Sequence, residues 1–108
     1  MQSRNQDMDV AKNIRAIDWL KAELASSVGS LFRAMHRGGE DLVCQSLATI
    51  LVIVYLLSRR LGIGFARLDQ GVEKTLGSNL EAGHSLEKWY GDLTALRTYI
   101  ATRKGDSI

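Results

Sequence analysis

Proline is absent from the 108 residues, and cysteine occurs once, as Cys44. With no proline to break a helix, the glycine clusters are left as the punctuation of the chain. A lone cysteine excludes an intrachain disulfide, and with no apolar leader in "MQSRNQDMDV" a reducing, cytoplasmic setting is expected. No Cys-His-Asp arrangement supports nucleophilic catalysis, and His36 and His84 have no partners at metal-ligand spacing. Cys44 is expected to be a small buried hydrophobe on an apolar helix.

Charge of one sign is also scarce. Lys+Arg 14 against Asp+Glu 12 leaves a formal charge of +2. The basic residues are scattered from Arg4 to Lys104 with no continuous stripe, so nucleic-acid binding is not expected. The longest unbroken apolar run, Ile50 to Leu57, is well short of the roughly 20 residues that cross a bilayer. No membrane span is expected, and neither repeats nor low-complexity segments occur.

What the chain does have is helical periodicity. Val10, Ile14, Ile17, Leu24, Val28, Leu31 and Met35 predict an amphipathic helix within Asp9–Arg37, or two helices kinked near Gly29. Asp9 is the expected N-cap, and Gly38-Gly39 the stop. A second helix is predicted over about Glu40–Leu61. Glu40 and Asp41 open it and Arg59 and Arg60 close it, each charge suiting its end of the helix dipole. Apolar residues lie on nearly every face of that helix, which marks it as central. Phe65, Leu68, Val72 and Leu76 predict a third helix. Leu86, Trp89, Leu93, Leu96 and Ile100 predict a fourth, with a possible break near Gly91-Asp92.

The expected fold is an all-α four-helix bundle in one domain, residues 9–103, between a flexible N-terminus (1–8) and a flexible tail (104–108). Helix two carries more apolar surface than so small a unit can cover. A homodimer or higher homo-oligomer is therefore expected to complete the bundle.

Set within these apolar helices are hydroxyls at helical spacing: Ser26, Ser27 and Ser30 on the first, Ser46 and Thr49 on the second. Small-residue packing accounts for them, since serines allow close helix approach and each hydroxyl can bond the carbonyl one turn back. A polar pocket for a nucleotide or other anion is the sharper reading. A rebuilt catalytic site is the third. Glu23, one turn before Ser27, is a candidate ligand, and Arg33 and Arg37 continue along the same flank where they could meet phosphate. Trp89 and Tyr90 suit core or interface anchors better than a base-stacking platform.

The segments "IDWLKAEL", "LSRRLGIGF" and "EAGHSLEKWYGDLTAL", with the apolar helix ending in "RRLGI", resemble the MazG family of all-α nucleoside triphosphate pyrophosphohydrolases. They are closer still to short bacterial proteins called MazG-like, over roughly Val10 to Thr102. The family's chemistry rests on E-E-x-x-E on one helix and E-x-x-D on the next, whose carboxylates gather around Mg²⁺, a hard ion that takes oxygen ligands in octahedral geometry. In this chain the first motif falls on Ser26-Ser27-Val28-Gly29-Ser30 and the second on Ser46-Leu47-Ala48-Thr49. Every acid is a serine or threonine. Lys74 and Asn79 loosely match basic and amide residues that the family places after its third helix.

The resemblance thus implies a MazG-like protein without the metal-binding carboxylates, non-catalytic, with a structural or nucleotide-sensing role and no cofactor. Two alternatives stay open. One is an active pyrophosphohydrolase with a rearranged, Mg²⁺-binding site; the other is a helical adaptor for a protein partner.

Overall fold

The computed structural model describes residues 2–106, with side chains from 8 to 103. Five helices and, among the described residues, no strand follow in the order α1 (Gln2–Arg37), α2 (Glu40–Arg60), α3 (Phe65–Glu81), α4 (Ser85–Tyr90) and α5 (Asp92–Asp106). The chain divides into two compact units, Met1–Phe65 and Ala66–Ile108.

The first unit is an antiparallel hairpin of α1 and α2. Asp9 does not cap α1, because the helix already begins at Gln2. No proline or glycine lies before Asp9, so nothing in the backbone halts the helix there. Nor does Gly29 divide it. At its far end Gly38 takes a φ of +73°, and its N–H bonds the Ala34 carbonyl at 3.0 Å. Gly39 then adopts an extended conformation as the N-cap of α2.

The far end of α2 is tied down in two ways. Gly62, at φ +86°, lets its own N–H reach the Arg59 carbonyl (3.0 Å) and the N–H of Ile63 reach that of Ser58 (2.9 Å). This pair of bonds satisfies carbonyls the helix would otherwise leave unpaired. The Ser58 hydroxyl, only 7% exposed, donates in turn to the Ile63 carbonyl at 2.9 Å. From the other helix, Asn13 Nδ2 donates to the Arg60 carbonyl at 3.0 Å, pinning the base of the hairpin.

Packing between the two helices is narrow. Leu20 and Ala34 on α1 and Ile53 on α2 are buried apolar residues of this unit. Val43, Ile50, Val54 and Leu57 are half-buried, whereas Leu42, Leu47, Leu51, Val52 and Leu56 stay exposed. Cys44 is exposed as well, which corrects its assignment to the core. One partner helix covers one stripe of α2, and Cys44 lies outside that stripe. The α2 helix has a mean hydropathy of 1.9 over its apolar window, and is long and apolar enough to cross a membrane by length and composition. Counting the unbroken run Ile50–Leu57 understated this, because single polar residues interrupt the run without altering the helix's overall hydropathy. The core helix of a soluble bundle has the same length and composition.

In the second unit the predicted fourth helix is two helices, α4 and α5, separated by Gly91 at φ +69°. His84 is the N-cap of α4, its Nδ1 accepting the Leu86 N–H at 3.1 Å. Glu87 on α4 receives both the hydroxyl and the backbone N–H of Thr94 on α5, the latter at 3.0 Å. These bonds, the Thr94 hydroxyl foremost and its N–H next, hold the Glu87 carboxyl below its ordinary pKa. Leu76 on α3 and Ile100 on α5 are buried and line one depression with Glu73 and Arg97. Residues 107–108 of the expected flexible tail lie outside the described residues.

Candidate functional site

The hairpin brings the two hydroxyl-bearing segments face to face. Ser27 and Ser30 from α1 and Ser46 and Thr49 from α2 line a single depression of about 240 Å³, closed by Leu42 and Gln45. Helical spacing explains the grouping. Ser27 and Ser30 are three apart, as are Ser46 and Thr49, so each pair shares one face of its helix. Ser26 does not line the depression and is exposed. A residue next to Ser27 is turned about 100° away around the helix.

The hydroxyls are not all free to meet a ligand as donors. Ser46 donates to the Leu42 carbonyl and Thr49 to the Gln45 carbonyl, each at 2.9 Å. This is the back-bonding expected of small hydroxyls within a helix, and it leaves their oxygens as acceptors only. On α1, Arg33 Nη2 donates to Ser30 Oγ at 3.1 Å, which brings a guanidinium to the rim. The guanidinium lies close to Gly29, where an added Cβ would stand 3.4 Å from Arg33 Nη1, an ordinary contact.

Glu23 lies elsewhere. It is half-buried and lines an adjoining apolar depression of about 350 Å³ with Trp19, Leu20, Val52, Ile53 and Leu56. Gln45 and Thr49 border both depressions, so a polar and an apolar compartment run on from each other along the α1–α2 groove. Arg37 is exposed in the last turn of α1. Lys74, exposed, and Asn79, half-buried, are on α3 in the second unit.

The donor set decides which ions this depression suits. Mg²⁺ surrenders its hydration water reluctantly and needs carboxylates to balance its charge. Here it would meet neutral hydroxyls, two of them engaged with backbone carbonyls, and a neighbouring guanidinium. These residues do not fit Mg²⁺. Among the described residues no three of His, Cys, Asp and Glu come together as a metal-binding group. An arginine beside a serine hydroxyl is instead suited to an anion, since charge-assisted bonds from guanidinium to oxyanions are among the stronger hydrogen bonds in proteins.

Gln45 was not singled out from the sequence, although it borders both compartments. Its signal was available in hindsight: it stands one helical turn before Thr49, whose hydroxyl it accepts. Asn13 and Ser58, which fix the base of the hairpin, carried no local signal at all. No curated protein and no solved structure matches the chain. The MazG-like family model matches residues 10–93, which is most of the sequence and includes both hydroxyl-bearing segments, and the chain belongs to the MazG-like family.

Proposed function

We propose that this member of the MazG-like family does not hydrolyse nucleoside triphosphates, and that its α1–α2 groove binds an anionic ligand of nucleotide type. The observation that carries this reading is the lining of the polar compartment. Ser27, Ser30, Ser46 and Thr49 meet there with no carboxylate among them, and Arg33 is bonded to Ser30 at its rim. A pocket of that chemistry favours phosphate over a divalent cation. Glu23, the one acid among the described residues that line the two compartments, lines the apolar one instead. It supplies at most a single carboxylate.

The test is a thermal-shift and calorimetric titration with inorganic phosphate and nucleoside triphosphates, with and without Mg²⁺, alongside a phosphate-release assay. Triphosphate should stabilise the protein without turnover, and Mg²⁺ should not be required. Arg33→Ala should weaken binding about tenfold, the scale of one charge-assisted hydrogen bond. Mg²⁺-dependent turnover by the unmodified protein, abolished by Glu23→Gln, would sink the proposal and select the rearranged hydrolase. A second reading, docking of a protein partner, is favoured by one feature of the second unit. Trp89 and Tyr90 on α4 pack edge to face at 6.4 Å yet remain 70% and 73% exposed.

A further inference from the structure

The groove between α1 and α2 continues past its apolar compartment, away from the serines. A further depression of about 360 Å³ is lined by Ala16, Trp19 and Leu20 of α1 and by Leu56, Arg59 and Arg60 of α2. It shares Trp19, Leu20 and Leu56 with the compartment that holds Glu23, so the two form one furrow. Helical spacing produces it. Ala16, Trp19, Leu20 and Glu23 fall on one face of α1, as do Thr49, Val52, Leu56 and Arg60 on α2. Leu20 and Ile53, buried, form its floor, while Trp19 and Val52 beside them are 61% and 56% exposed.

The two ends of the furrow differ in charge. Arg59 and Arg60 stand at one end and Glu23 toward the other, the one acid among the described residues that line it. The turn bearing the arginines is held in place. Asn13 donates to the Arg60 carbonyl at 3.0 Å, and the Arg59 guanidinium lies over the Phe65 ring, 5.4 Å from its centroid. Guanidinium groups take the two oxygens of a carboxylate in a matching fork. From Thr49 to Arg60 the furrow runs eleven residues along α2, roughly 16 Å. That is the length of one leaflet of a bilayer, whose two-leaflet hydrocarbon core is about 30 Å thick. Long, shallow and apolar on both walls, the furrow suits a flexible hydrocarbon chain better than a compact group.

From this we infer that the furrow binds a free long-chain carboxylate, its head at Arg59 and Arg60 and its chain laid over Leu20 and Ile53. Glu23 disfavours the reverse orientation, since it would meet the head with like charge. The site uses none of the serines and stands whether or not the polar compartment binds a nucleotide.

Trp19 is the reporter. Trp89→Phe, a change at a side chain 70% exposed, leaves Trp19 as the sole tryptophan of the chain. Sodium dodecanoate, kept below its micellar concentration, should shift the Trp19 emission to the blue and saturate at one molecule per chain. Decanoate, two methylenes shorter, should bind about tenfold more weakly, and uncharged dodecanol at least tenfold more weakly. Arg59→Gln with Arg60→Gln should cost about tenfold or more in dodecanoate affinity. Arg15→Gln, at an exposed arginine of α1 that lines neither depression, should change it less than twofold. Equal binding of dodecanol and dodecanoate would overturn the proposal, as would a response that does not saturate. A Trp19 emission that follows protein dilution and ignores dodecanoate would give the furrow to a second copy instead. Binding to phosphatidylglycerol vesicles without binding of monomeric dodecanoate would give it to a membrane surface, and either result would overturn the assignment.

Discussion

At the scale of single residues, the site is a matter of which groups replace which charges. Ser27, Ser30, Ser46 and Thr49 share one depression, so returning carboxylates there tests the geometry directly. The combined variant Ser27→Glu, Ser30→Glu, Ser46→Glu and Thr49→Asp should bind Mg²⁺ measurably by calorimetry, where the parent does not. Without metal it should lose roughly 1–3 kcal/mol of stability in urea unfolding, because four like charges crowd one groove. Unchanged Mg²⁺ affinity would mean that the two segments do not face each other closely enough to share an ion. These four positions were legible in the sequence because helical spacing alone puts each pair on one face. Ser26 fell outside the depression because a residue next to Ser27 is turned about 100° from it around the helix, so a motif with two adjacent positions cannot aim both at one site. The Arg33–Ser30 bond was foreshadowed only as a shared flank, because which of several rotamers a long arginine takes is not encoded in helical spacing.

At the scale of elements, the ends of helices separate what sequence could reveal from what it could not. The bounds of α2 and the break at Gly91 followed from charge and glycine, both local signals. The start of α1 did not, since an acid at Asp9 caps a helix only if the preceding residues leave it. Asn13 reaches a carbonyl 47 positions away, and no local pattern encodes such a bond. The α4–α5 corner shows how one side chain can join two elements. Glu87 accepts two bonds from Thr94 in the first turn of α5, and its pKa is lowered as a result. A carboxyl depressed by folding adds stability that is fully present above its unfolded pKa, about 4.3. That contribution is lost as pH falls through the lower, folded value. The Thr94 amide resonance should follow this titration with a midpoint below that of the same glutamate in the unfolded chain. In Glu87→Gln the acid-dependent shift should vanish and amides at the start of α5 should exchange faster. A Thr94 amide insensitive to pH in the parent would show that the corner is held otherwise.

At the scale of the whole molecule, the all-α class and family were legible, since both rest on periodicity and on long stretches of sequence. The division into two compact units was not, because nothing in composition changes near Phe65. The fate of Cys44 was misread for a related reason. An apolar helix suggests burial, but burial also needs a partner on that side. If α2 pairs across its outer face, Cys44 becomes protected only on association. Its reaction with a thiol reagent should then slow as protein concentration rises through the dissociation constant of the assembly, and Val52→Asp, which sets an acid on the exposed surface of α2, should keep it fast throughout. Labelling independent of concentration would place Cys44 outside any interface. The thin core has a thermodynamic counterpart. Among the described residues five apolar side chains are buried and none of large volume is fully enclosed, so much of the apolar surface of α2 faces outward. Were a second copy to cover that surface, folding and association would share one equilibrium governed by mass action. Each tenfold dilution would then remove about 1.4 kcal/mol from the assembled state, and the melting temperature would fall with the amount of protein present; a melting temperature independent of concentration would show that the chain folds without a second copy.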